Sequence, residues 1–238
     1  MKQIRLGLAL LITCVAAPAQ PAPQPAGHWQ GKIQIPDHEL GVTVDLARNS
    51  KGAWIGSMTI TASTSIDVPL STITVDGASV RFAASLPRPA SFDGRISEDG
   101  NSLSGKASNA DGEAPFQLTR NGEPKVAVPP PSSALSKEFE GAWEGTLDAG
   151  GTTRRIGLKL APAADGSASA TLISVDQGNV EIPVTTVTIK DKQLQLDVRT
   201  VSGNYTGALG ASGEIAGEWA QGPGHFPLTF KRVPPAPK

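Results

Sequence analysis

GHWQG at residues 27–31 returns as GAWEG at residues 141–145, while GAWIG at 52–56 offers a rival match to the same five letters. Which pairing holds decides the architecture. Setting GAWIG on GAWEG puts Pro69 against Leu158 and Gly94 against Pro183, and nothing further aligns. Setting GHWQG on GAWEG puts Leu46 on Leu160, Gly52 on Gly166 and Pro69 on Pro183. One deleted residue later, Phe92 meets Tyr205, Gly94 meets Gly207 and Gly100 meets Gly213. A second deletion brings Gly105 onto Gly217, Pro115 onto Pro227 and Arg120 onto Arg232. GAWIG is a chance likeness, and the chain reads as one unit copied once. The repeat is far longer than the roughly 20–50 residues of a solenoid unit, so each copy is expected to be a whole domain.

Between the turns the apolar period is two, the signature of half-buried strands. RIGLKL (155–160) alternates Ile156, Leu158 and Leu160 with Gly157 and Lys159, and LQLDVR (194–199) repeats the pattern. TITVDGASVRF (72–82) is two β-prone runs around Asp-Gly, a strong hairpin signal. No helical stripe occurs beyond the N-terminal segment. The expected fold is all-β, with two tandem antiparallel meanders of about eight strands each. Strands are placed near Trp29, Leu40, Ala53, Val68, Ser79, Ser91, Ser102 and Ala114, and again near Trp143, Arg155, Ala168, Pro183, Gln193, Asn204, Glu214 and Phe226. Closing such a meander removes its unpaired edges, which favours a small, lipocalin-like barrel. A two-sheet sandwich per copy, or one large sheet shared by both copies, satisfies the same pattern.

Proline marks the boundaries. PAQPAPQPA (18–26), EPKVAVPPPSS (123–133) and VPPAPK (233–238) are expected to be extended, solvated segments. The resulting plan is a signal peptide at 1–19, a linker at 20–26, a first β domain at 27–122, a linker at 123–138, a second β domain at 139–233 and a tail at 234–238. In the signal, Lys2 and Arg5 precede the apolar run Leu6–Val15 and the A-x-A site Ala17-Pro18-Ala19. The run is short for a membrane span of about 20 residues. Cys14, the only cysteine, lies inside it, with Thr13 where a lipoprotein signal carries a small residue, so cleavage after Ala19 leaves no thiol for a disulfide or metal site. The expected location is secreted or periplasmic.

Composition and motifs exclude more than they assign. Without Lys2 and Arg5 the chain keeps 19 basic and 22 acidic residues, with no basic stripe for nucleic acid. His28, His38 and His225 align with Ala142, Thr152 and Glu113, so a function shared by both copies does not use histidine. They read as exposed strand or loop residues. No nucleophile elbow or phosphate loop is present, and the serines of NSLSG (101–105) read as turn residues. Asp67 and Glu181 form the one carboxylate pair that the repeat keeps, each two positions before a proline at an expected strand start. Trp219 and Gln221 in GEWAQG (217–222) share a strand face where the first copy has Ala107 and Asn109. Two readings stay open for Trp219: a ligand-contacting aromatic, or core packing that plugs a barrel end. No catalytic, cofactor-binding or metal residue is assigned.

A resemblance completes the reading. The series Gly141-Ala142-Trp143-Glu144-Gly145, Asp165-Gly166, Ile182-Pro183, Tyr205-Thr206-Gly207, Gly217 to Gly222 and Pro227 to Arg232 resembles the β-rich N-terminal domain of certain secreted bacterial α/β-hydrolases and related serine hydrolases. The resemblance covers the second copy fully and the first more weakly. It implies an accessory β domain; the hydrolase that follows in that family has no counterpart before Lys238, so no catalytic residue carries over. The expected function is an exported, non-catalytic module that binds a small apolar molecule, a glycan or an envelope protein, without nucleic acid and without a membrane span after cleavage. The alternative is a divergent secreted hydrolase, or an accessory component of one.

Overall fold

The computed structural model describes residues 23–234, so the predicted signal peptide, Cys14 and the last four residues lie outside the described residues. The first copy forms β1 (Gly27–Ile35), β2 (His38–Arg48), β3 (Trp54–Ile60), β4 (Val68–Asp76), β5 (Ser79–Ala84), β6 (Ala90–Ile96), β7 (Ser102–Asn109) and β8 (Gly112–Arg120). Each strand pairs antiparallel with the next, and β8 returns to β1, which makes a closed eight-stranded barrel. Closure leaves the interior to alternate side chains: Trp29, Val42, Val44, Leu46, Met58, Phe82, Phe92, Leu103, Phe116 and Leu118 are buried. The outward positions are polar and charged, among them Lys32, Arg81, Asp93, Arg95 and Lys106. That is the reverse of a lipid-facing barrel, whose outer band is apolar. No helix among the described residues is long and apolar enough to cross a membrane.

The second copy forms β9 (Gly141–Ala149), β10 (Thr152–Pro162), β11 (Ala168–Ser174), β12 (Val180–Pro183), β13 (Thr186–Lys190), β14 (Gln193–Val198), β15 (Gly203–Leu209), β16 (Ile215–Gln221) and β17 (Gly224–Arg232). The single strand expected at Pro183 is two strands, one ending there and the next starting at Thr186. The sheet order therefore runs from β12 to β13, the two pieces of one counterpart strand, and the ladder is open between them. The first copy shows the same weak place in milder form. In β4 the register shifts between Ser71 and Thr74, with β-branched Thr72 at φ 49°. The matched prolines Pro69 and Pro183 both lack an N–H, so the break lies after them: Val184 N–H still donates to Ala170 O on the β11 side at 3.2 Å, whereas Thr185 N–H donates to Asp197 O on β14 at 2.7 Å.

The two copies overlay in detail at their closing seam. The Trp29 indole N–H donates to the Pro25 carbonyl at 2.9 Å, and that of Trp143 donates to the Phe139 carbonyl at 2.9 Å. Arg120 lies 4.3 Å over the Trp29 ring and Arg232 lies 4.2 Å over the Trp143 ring. Each arginine also donates to two carbonyls ahead of its tryptophan, of Gln24 and Ala26 or of Glu138 and Glu140. The glycine two places after each tryptophan is required by close approach. A Cβ on Gly31 would stand 2.0 Å from the Gln117 carbonyl oxygen, and one on Gly145 would stand 2.6 Å from that of Thr229.

The central proline-rich stretch is not a solvated tether. Lys125 N–H donates to Asp45 Oδ1 at 2.7 Å, and Ala127 N–H donates to Ser57 Oγ at 3.3 Å on the first barrel. Farther on, Ser133 N–H donates to Val187 O, and Ala168 N–H donates to Ser133 O. The Ser132 and Ser133 hydroxyls accept the amides of Val187 and Ile189, each at 3.0 Å. Residues 132–134 thus bridge β13 to β11 across the open ladder. Phe139 is fully buried in the second core. Proline and docking are compatible: a residue already stiff and extended loses little entropy when it lies against a sheet.

Barrel one meets barrel two through the loop after β3 and the turn after β14. Ser65 Oγ donates to Thr200 O at 2.8 Å, Ser202 Oγ donates to Thr64 O at 2.6 Å, and Ile66 N–H donates to Arg199 O at 3.1 Å. Arg199 Nη1 donates to the carbonyls of Asp67 at 3.0 Å and Ala127 at 2.8 Å. Val180, the counterpart of Ile66, also lines the first barrel's cavity, as do Leu86 and Pro87.

Candidate functional site

His28, Asp45 and Ser57 stand in one row across β1, β2 and β3, because His28 is opposite Asp45 and Asp45 is opposite Ser57. His28 Nδ1 lies 2.8 Å from Asp45 Oδ1. A hydrolytic triad needs the imidazole between the hydroxyl and the carboxylate. Here the carboxylate is in the middle, and Ser57 Oγ accepts from the central strap. The row latches residues 125–127 onto the first barrel. His28 is therefore not the exposed residue expected from sequence: its side chain is 19% exposed. His225 is exposed and lies 2.7 Å from Glu218, and His38 is exposed at the start of β2. No group of three or more His, Cys, Asp or Glu among the described residues is placed to hold a metal ion.

Asp67 and Glu181 do not meet. Asp67 sits at φ 52° with its carbonyl engaged by Arg199, whereas Glu181 reaches Lys159 at 3.5 Å on the exposed face of the sheet. Their shared place in the repeat is structural.

Each barrel has a cavity at the same end. In the first, a cavity of about 690 Å³ opens between the hairpin loops. Its wall is Ile33, Leu40, Met58, Ile60, Phe92 and Ala107. Its charged rim is already paired: Arg88 with Asp111, and Glu113 with Lys106 at 2.9 Å. In the second barrel the corresponding cavity is about 400 Å³. Both volumes fall within the range of about 300–1,000 Å³ found for small-molecule sites.

Trp219 accounts for much of the contrast. It is 7% exposed and belongs to the second core, as the packing reading expects, and its ring also lines that cavity. A Cβ on Gly203 would stand 2.1 Å from its ring, so the absent side chain at Gly203 makes its room. The first barrel has Ala90 and Ala107 at the counterpart positions, and the cavity there is open. Gln221, the residue paired with Trp219 in the sequence reading, donates from Nε2 to Val201 O at 2.7 Å, and its Oε1 lies 3.4 Å from the Trp219 indole nitrogen.

Arg154 is the rim residue that sequence reasoning passed over. It shares its strand face with Ile156, Leu158 and Leu160, which point into the barrel. That parity was legible in RRIGLKL, where an arginine stands in the inward series.

No protein-family model matches the chain, and no curated protein matches it. Among solved structures, a protein of unknown function of the DUF3598 family from Nostoc punctiforme PCC 73102 is similar at 13% identity and a TM-score of 0.29, over 89% of this chain and 97% of that one. A candidate outer membrane protein from Bacteroides fragilis NCTC 9343 is similar at 14% identity and a TM-score of 0.28, over 86% of this chain and 96% of that one.

Proposed function

We propose that the protein is an exported, non-catalytic binding module whose first barrel holds a small uncharged apolar molecule. One observation carries the reading: a cavity of about 690 Å³ with an apolar wall and no unpaired charge on its rim. An ion entering it would lose hydration without gaining a partner, whereas an apolar solute gains about 25 cal/mol for each Å² removed from water. A glycan is the poorer fit, because the wall offers few donors or acceptors for its hydroxyls. Export rests on the N-terminal charge and hydropathy pattern.

The test is a displacement titration with the neutral fluorophore N-phenyl-1-naphthylamine and uncharged competitors such as sterols and long-chain alcohols. Saturable, displaceable fluorescence is expected. The variant Ala90→Gly/Ala107→Trp rebuilds the plug of the second barrel in the first and is expected to abolish it while the barrel still folds. Fluorescence that this variant leaves unchanged would overturn the reading. Turnover of ester or glycoside substrates, lost on a single serine or carboxylate substitution, would replace it with the hydrolase alternative.

A further inference from the structure

The geometry points to a second, chemically different site: the cavity of the second barrel takes a small carboxylate-bearing amphiphile, and Arg154 is its anion anchor. Arg154 lies on the inward face of β10, half-buried at the mouth of the cavity of about 400 Å³. An inward-facing guanidinium is costly unless something neutralises it. Among the described residues no carboxylate forms an ion pair with it; Asp176 feels its charge only through space. Asp176, the nearest acidic candidate, is taken by the adjacent Arg155, which donates to it from Nε at 2.9 Å, from Nη2 at 2.7 Å and from its backbone N–H at 2.7 Å. Among the described residues the Arg154 guanidinium has no hydrogen bond and no ion pair.

The comparison between copies sharpens this. The counterpart of Arg154 is Leu40, that of Ser174 is Ile60 and that of Trp219 is Ala107, all on the wall of the first cavity. After the duplication, these three positions are apolar in the first barrel and carry a cation, a hydroxyl and an indole in the second. Arg154, Arg155 and Asp176 together leave one positive charge at this mouth, which suits a monoanion. A guanidinium pairs with a carboxylate through two parallel hydrogen bonds. Leu147, Ile156, Leu172 and Leu228 then line the space for an apolar body. The order fits an amphiphile with its head at the rim and its tail inside.

The experiment uses the full mature chain carrying Ala90→Gly/Ala107→Trp, which removes the first cavity from the measurement. Octanoate and 4-phenylbutyrate are titrated by calorimetry against octan-1-ol and 4-phenylbutan-1-ol. Each carboxylate is expected to bind at least about tenfold tighter than its alcohol, the scale of a charge-assisted hydrogen bond, and to weaken with salt. Arg154→Leu, which installs the first copy's residue, is expected to erase that preference, leave the alcohols unchanged and raise the Tm of the unliganded protein. Arg154→Gln repeats the test with a polar side chain. Equal affinity for acids and alcohols, a preference that survives Arg154→Leu, or a Tm lowered by that substitution would each overturn the assignment. The first-barrel titration with the neutral fluorophore is independent of all three outcomes, so either site can fail alone.

Discussion

Tyr205 is the only tyrosine of the chain, and it is fully buried. Its hydroxyl lies 3.0 Å from the Ile215 carbonyl oxygen and 3.1 Å from that of Leu228, so it ties β15 to both β16 and β17. It reaches them by folding back over Gly207, where a Cβ would stand 2.4 Å from the hydroxyl oxygen. In the second copy this is what the aromatic-x-Gly pattern does; in the first, a Cβ on Gly94 would instead stand 2.8 Å from the Phe116 ring. Burial pushes the phenol above its ordinary value. The sign follows: the protonated phenol contributes fully below about pH 10, where the unfolded side chain is still neutral, and the contribution fades as pH rises past that point. Tyr205→Phe, which installs the residue of the first copy, is expected to cost about 1 kcal/mol at neutral pH. It should also flatten the alkaline fall in stability, measured by urea unfolding at a series of pH values above neutrality. An alkaline fall as steep as that of the parent would remove the phenol as its cause. The pairing of Phe92 with Tyr205 was legible from glycine spacing alone. Arg154 was equally visible by parity, but a charged letter beside two apolar alternations is easily taken for the strand's outer row.

At the scale of the strand, periodicity located the elements well because inward and outward positions differ in chemistry at nearly every step. Starts expected at Val68, Ser79, Ser102, Ala168 and Gln193 coincide with β4, β5, β7, β11 and β14. The break after Pro183 was not legible, because VEIPVTT is β-prone throughout and the matched Pro69 sits in an unbroken strand. The strap was missed for a related reason: proline content reports stiffness, and stiffness does not decide between solvent and a sheet edge. Its serines make the difference. Replacing Ser132 and Ser133 together with alanine removes the side-chain acceptors of the Val187 and Ile189 amides, a loss of about 1 kcal/mol for each. Amide hydrogen exchange at Val187 and Ile189 should accelerate by about tenfold or more, while Leu194 and Leu196 in the adjacent strand stay protected. Unchanged exchange at both amides would show that the seam holds without the strap.

In the whole molecule, Arg199 joins three parts that are distant in sequence: the loop carrying Asp67, the strap at Ala127 and its own barrel through Asp197 at 3.3 Å. Beside it, Ser65 on the rim of the first cavity is bonded to Thr200, and the next residue, Val201, lines the second. The Thr200 hydroxyl is buried in this wall without a partner among the described residues. Arg199→Ala leaves two carbonyls to find other donors and should loosen the junction without opening either barrel. Small-angle scattering is expected to show a larger radius of gyration, and calorimetry to resolve two transitions in place of a coupled one. An unchanged scattering profile would mean that the backbone bonds of Ile66 and Ser65 suffice. None of this junction could be read from sequence, since it depends on which faces of two similar barrels meet.

The arginine clamps have one more consequence. Arg120 and Arg232 each grip the backbone just ahead of the tryptophan that begins their own copy, so every copy starts and finishes at one spot on its surface. A bead whose two ends touch can be threaded onto a string at any point. Circular permutants that join these ends by a few residues and open the chain at a distant hairpin such as Gly77 should therefore keep the parent shape, and further beads can be added without disturbing those already there.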